Sequence, residues 1–141
     1  MGFTLLIPTA VMAANPLPMT TNAIAQSLIV TTDATALNFT GSGANGAVVV
    51  GTDSNTITLN ITNGGNVRMD VTAVVSGADS TFYGSSLMIE QNGGWVYASG
   101  WSYPSLAKGA SITVNLKVHP TTANPNYVGN LNFVGTTSAI Q

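Results

Sequence analysis

Thr56–Val75, TITLNITNGGNVRMDVTAVV, carries the clearest period-two pattern in the chain. Ile57, Leu59 and Ile61 alternate with Thr56, Thr58, Asn60 and Thr62, and Val67, Met69 and Val71 alternate with Arg68, Asp70 and Thr72. Such alternation puts apolar side chains on one face of a strand and polar ones on the other. Asn63, Gly64, Gly65 and Asn66 lie between the runs, residue types that accept positive φ or bond their own backbone. The stretch therefore reads as a β-hairpin. Two strands are not stable alone in water, so a second sheet must cover the apolar face.

Outward from this centre, short strand patterns recur: Ala23–Thr32, Thr35–Thr40, Ala47–Gly51, Ser86–Gln91, Trp95–Ser99, Ala110–His119 and Tyr127–Val134. Turn-forming clusters separate them, among them Gly41-Ser42-Gly43, Asn45-Gly46, Asp53-Ser54-Asn55, Gly77-Ala78-Asp79, Asn92-Gly93-Gly94 and Lys108-Gly109. Within the late strands Ile112, Val114, Leu116 and Val118 alternate with Ser111, Thr113, Asn115 and Lys117, and Tyr127, Leu131 and Phe133 do the same against Asn130 and Asn132. No stretch shows helical periodicity, so the expected fold is all-β, a sandwich or a barrel, and the apolar face of the central stretch favours the sandwich. Its expected core comprises Ile57, Leu59, Ile61, Val67, Met69, Val71, Ile112, Val114, Leu116, Leu131 and Phe133.

The chain has 141 residues, enough for one domain with a true core. Only three Lys or Arg and five Asp or Glu occur, giving a net charge of −2. This is far below the roughly one quarter of charged residues usual in soluble domains. Thr, Asn, Ser and Gly carry the polarity instead, which suits a surface that is glycosylated, packed against copies of itself or exposed to acid. The missing basic cluster argues against nucleic acid and against a polybasic membrane contact. With no cysteine, neither a disulfide framework nor a thiolate metal site is expected, and oligomerisation is the staple left to an extracellular chain.

Three segments divide the chain: an apolar arm at 1–14, a Pro-rich linker at 15–22 and a sandwich domain at 23–141. Met1–Ala14 has two readings. One is a signal peptide ending near Ala13 and Ala14, although no Lys or Arg precedes its apolar run and Pro8 interrupts it. The other, which we favour, is an apolar strand with Phe3, Leu5 and Ile7 on one side, ordered by docking elsewhere. It is too short to span a bilayer as a helix. Pro16 and Pro18 favour extended geometry and keep the arm apart from the body.

Thr58–Gly77 and Leu106–Gly135 (LAKGASITVNLKVHPTTANPNYVGNLNFVG) resemble the immunoglobulin-like sandwich of archaeal and bacterial surface proteins. Within that group the chain resembles TasA/camelysin-like fibre proteins and archaeal bundling-pilus and thread subunits. The resemblance implies an immunoglobulin-like or jelly-roll-type sandwich with an N-terminal donor strand, located at the cell surface. It also implies a homopolymer, an extracellular filament in which Phe3, Leu5, Leu6 and Ile7 of one copy complete a sheet in the next. Pro8 departs from an uninterrupted donor strand and limits it to about Gly2–Ile7. The resemblance carries no catalytic residue or cofactor.

Asn38-Phe39-Thr40 and Asn60-Ile61-Thr62 are N-glycosylation sequons. Strand parity turns both asparagines to solvent, making Asn38 and Asn60 candidate glycan acceptors. Trp95, Tyr97, Trp101 and Tyr103 form an aromatic run that either packs the core or a subunit contact, or stacks on sugar rings. The sugar reading supports an alternative function, a monomeric carbohydrate-binding module. His119 is the only histidine and reads as a surface residue, with no G-x-S-x-G elbow to pair with it. The acids Asp33, Asp53, Asp70, Asp79 and Glu90 stand singly, so no enzyme is expected. Calcium gathered from separate loops through Asp53 or Asp79 stays open. Arg68 and Asp70, on one face of one strand, are placed to pair with a neighbour.

Overall fold

Residues 17–123 and 128–141 are described by the structure, a computed structural model. Its strands are β1 (Val30–Thr32), β2 (Ile57–Asn63), β3 (Met69–Ser76), β4 (Leu87–Gln91), β5 (Gly94–Tyr97), β6 (Ser102–Leu106), β7 (Ser111–Val118) and β8 (Asn130–Thr137), with one short helix, α1 (Ser80–Gly84). They form a five-stranded sheet in the order β1-β2-β7-β4-β5 and a three-stranded sheet in the order β6-β3-β8. All pairings are antiparallel. The chain is thus an all-β sandwich, as the alternation predicts.

The central hairpin is not formed. β2 pairs with β1 and β7 in one sheet, whereas β3 pairs with β6 and β8 in the other. Thr56–Val75 is instead an arch that crosses between layers. Hydrogen bonding within Asn63–Asn66 explains the crossing, because this loop is satisfied by other segments and not by cross-strand pairing. Gly64 N and Asn66 N donate to the carbonyls of Ile29 and Ser27, and Asn63 N donates to Ala110 O. The Asn66 side chain accepts from Ser27 N and donates to Ala25 O. Gly65 must be glycine here, since a Cβ would collide with the Ser27 carbonyl oxygen. The arch faces the apolar sides of β2 and β3 toward each other, a placement that gives the same alternation as a hairpin.

Leu59, Ile61, Met69, Val71, Val114 and Leu116 are buried, as expected, and Ile112, Leu131 and Phe133 pack half-buried against them. Ile57 and Val67 are also half-buried. Ile89 and Leu87 from β4, Phe82 from α1 and Trp101 complete the core. The Trp101 ring meets Phe133 edge-on, with centroids 5.5 Å apart. Burial on this scale contributes about 25 cal/mol per Å² of apolar surface removed from water.

Three expected strands change. Of Ala23–Thr32 only Val30–Thr32 is a strand, and Thr35–Thr40 and Ala47–Gly51 contain none. Residues 41–54 form a loop whose neck is Thr40 and Asn55: Asn55 N donates to Thr40 O, and Thr40 N to the Asn55 side chain. Two elements were not expected, α1 and β6. β6 carries Pro104, which an edge strand tolerates because one side of it needs no ladder donors. The arm at 1–14, with Phe3, Leu5, Leu6 and Ile7, lies outside the described residues, as does Tyr127. Leu17–Asn22 of the linker is exposed and without regular structure. No helix among the described residues is long and apolar enough to cross a membrane.

Candidate functional site

Every open sheet presents edge strands, and their unpaired backbone groups are natural pairing sites unless blunted. The four edges here are β1, β5, β6 and β8. β1 has three residues, β5 has four, and β6 is interrupted by Pro104. β8 differs: its eight residues, NLNFVGTT, contain neither charge nor proline. Among the described residues its backbone pairs only with β3, so its outer edge is unpaired. Val134 on this strand is 42% exposed.

Along the same strand the two sheets fail to close. A groove of about 180 Å³ runs between them, walled by Leu59 from the larger sheet, Val75, Leu131 and Phe133 from the smaller, and Leu37 and Phe39 from the strandless segment after β1. Thr32, Thr35, Tyr83 and Asn130 line it as well, so polar and apolar surface share the groove almost equally. Leu37, Phe39, Val75, Leu131 and Phe133 are only partly buried, which marks the groove as a stretch of core lacking one layer of side chains. A second hollow of about 460 Å³ adjoins it and shares Leu37 and Phe39, with residues 44–48 of the loop also lining it.

The aromatic run is not one platform. Trp101 is 3% exposed and belongs to the core. Trp95 and Tyr97 lie on β5, and Tyr103 on β6 in the other sheet. The Lys117 ammonium sits over the Trp95 ring, 4.4 Å from its centroid, and occupies the position a stacked sugar would take. Tyr97 and Tyr103 are 45% and 39% exposed.

The outer face of the larger sheet is a continuous polar ladder. Thr62 and Ser111 hydroxyls bond each other, Thr113 donates to the Asn60 side-chain oxygen, and Thr58 donates to Asn115, which donates to Glu90. Asp33 accepts from both the backbone and side chain of Asn60. The sequon residue Asn60 is therefore exposed but engaged on both side-chain atoms. Asn38, also exposed, lies in the strandless segment and at the rim of the second hollow.

His119 is not a lone surface side chain. Its Nδ1 lies 2.7 Å from Asp53 Oδ1, and Lys117 Nζ lies 3.0 Å from Asp53 Oδ2. A lone pair on Nδ1 would face a carboxylate, so Nδ1 carries the proton and donates. Hydrogen bonds from Lys117 and then His119 hold the Asp53 carboxyl below its ordinary value of 3.8. The separation of 64 positions between Asp53 and Lys117 hid this cluster from pattern reading.

Arg68 and Asp70 do not pair with each other. Both grip Ser105: Arg68 Nη1 donates to its carbonyl, and its N–H donates to Asp70 Oδ1. Ser105 has φ +60, at the irregularity where β6 pairs with β3. The two contacts hold a conformation that non-glycine residues seldom adopt. Asp79 closes the start of β8 by accepting from Val128 N. Among the described residues no three His, Asp or Glu side chains come together as metal ligands, Asp53 and Asp79 included.

No protein-family model matches the chain, and no curated protein or solved structure matches it at a significant level.

Proposed function

We propose that this protein is the structural subunit of an extracellular filament, in which the N-terminal arm of one copy adds a strand along β8 of the next. The observation that carries this reading is an edge without a backbone partner beside a groove in which Leu37, Phe39, Leu59, Val75, Leu131 and Phe133 supply apolar walls. The β8 edge offers backbone donors and acceptors, and the groove beside it accepts alternate side chains, the two requirements of strand addition. Gly2–Ile7 supplies the complementary chemistry, with Phe3, Leu5 and Ile7 on one side of an extended segment. Burying each such side chain contributes roughly 1.5–3 kcal/mol, which offsets the ordering of a short arm. An exchange that runs head to tail does not close on itself and yields a fibre. The scarcity of charge suits surfaces that pack against copies of themselves. Asn38, exposed outside the ladder, is the better placed of the two glycan acceptors.

The carbohydrate-binding alternative has less support, because Lys117 covers Trp95 and Trp101 is in the core. The chain lacks cysteine, so a disulfide trap is clean. Carrying Leu5→Cys and Phe133→Cys together, the protein should give a ladder of covalent oligomers on a non-reducing gel. A monomer closed by an internal disulfide would show instead that the arm folds back on its own body.

A further inference from the structure

Residues 41–54 leave the sandwich at a neck and return to it beside the end of β7. The return limb is fastened by two backbone hydrogen bonds, Gly51 N to Pro120 O and Ser54 N to Val118 O, and by the Ser54 hydroxyl, which accepts from Val118 N. Beyond these, the Asp53 side chain holds it. Asp53 places one carboxylate oxygen on Lys117 and the other on His119, so a single acid engages both side chains at this end of β7. Residues 44–48 of the same loop line the second hollow together with Phe82 of α1 and Val118 of β7.

We propose that the loop 41–54 is a strap over this hollow, latched by Asp53 on Lys117 and His119, and that acid releases the latch and uncovers the hollow. Protonating Asp53 removes the acceptor charge that both contacts use and leaves the Lys117 ammonium, near the end of β7, and the His119 ring, just past it, without the group that joins them. The other charged groups do not compensate. Lys117 rests on Trp95 of β5, and Glu90 of β4 is engaged by Asn115. Asp33 is held at Asn60, Asp70 at Ser105 and Asp79 at Val128. Asp53 is also half exposed, so protons reach it without unfolding. The latch uses no residue of β8.

Amide hydrogen exchange on the full chain, expressed as protection factors at pH 6 and pH 3, tests it. The Gly51 and Ser54 amides should lose protection several-fold at pH 3, while Ile61 and Leu116 in the core keep theirs. Asp53→Asn should show the low protection at pH 6 already and little change on acidification. Asp53→Ala, as a second variant, should match it. Unchanged protection of the strap at pH 3 would overturn the proposal, as would a loss shared equally by the core. So would an Asp53→Asn protein that kept both full protection and its pH dependence.

Discussion

Asn63 donates from its side chain to the carbonyl of Leu106, at 2.9 Å and without solvent exposure, tying the end of a strand in one sheet to the end of a strand in the other. The same amide donates to Val67 O and accepts from Gly65 N, so all its bonding serves the crossing between layers. Replacing Asn63 by Leu leaves two carbonyls and one N–H without that partner in a closed site. The expected cost is about 1–3 kcal/mol in urea unfolding. A variant as stable as the parent would show that the arch does not depend on this side chain.

Leu116 is fully buried at the middle of the larger sheet, opposite Ile57 on one side and Ile89 on the other. Leu116→Ala should lower the unfolding free energy by about 2–5 kcal/mol, the range for removing a large side chain from a packed core. Ile57→Ala, at a half-buried site, should cost less. Equilibrium denaturation of both proteins gives the comparison.

Proton linkage should be weak from pH 5 to 8 and appear only in acid. Asp53 has a folded pKa lowered by Lys117 and His119, so its contribution is fully present above the ordinary value of 3.8 and is lost as pH falls through the folded value. Thermal midpoints should therefore stay level through mildly acidic conditions and fall below about pH 4. Asp53→Asn should flatten part of that fall. Because the carboxylate is half exposed, the effect should be small and shrink further in high salt.

A lysine on β8 should oppose strand addition without disturbing the fold. Val134 is exposed, so Val134→Lys places a charge on the strand at little structural cost. Circular dichroism and melting of the monomer should be unchanged, while any assembly seen by light scattering should fall. Undiminished assembly of this variant would argue that β8 is not the acceptor.

The alternating runs were enough to identify two layers and most of the core, because period-two patterning depends only on which face is covered. They could not say which strands share a sheet. Ile61 and Met69 face the core whether their strands form a hairpin or an arch, and the choice rests on Ser27, Ile29 and Ala110, which lie far away in sequence. β6 escaped notice because Pro104 argues against a strand everywhere except at an edge. Ala47–Gly51 reads as a strand for a related reason: Val48, Val49 and Val50 have strand-like character, but Gly41, Gly43 and Gly51 spend their N–H groups on turns and on Pro120. The Asp53 cluster and the β8 groove are products of assembly, joining residues that no local motif connects.

Electron microscopy of negatively stained full-length protein, beside a variant lacking 1–14, tests the central claim most directly. The account predicts filaments from the full chain, and from the shortened chain only monomers with a lower melting temperature. Filaments of unchanged form and thermal stability after removal of the arm would contradict it.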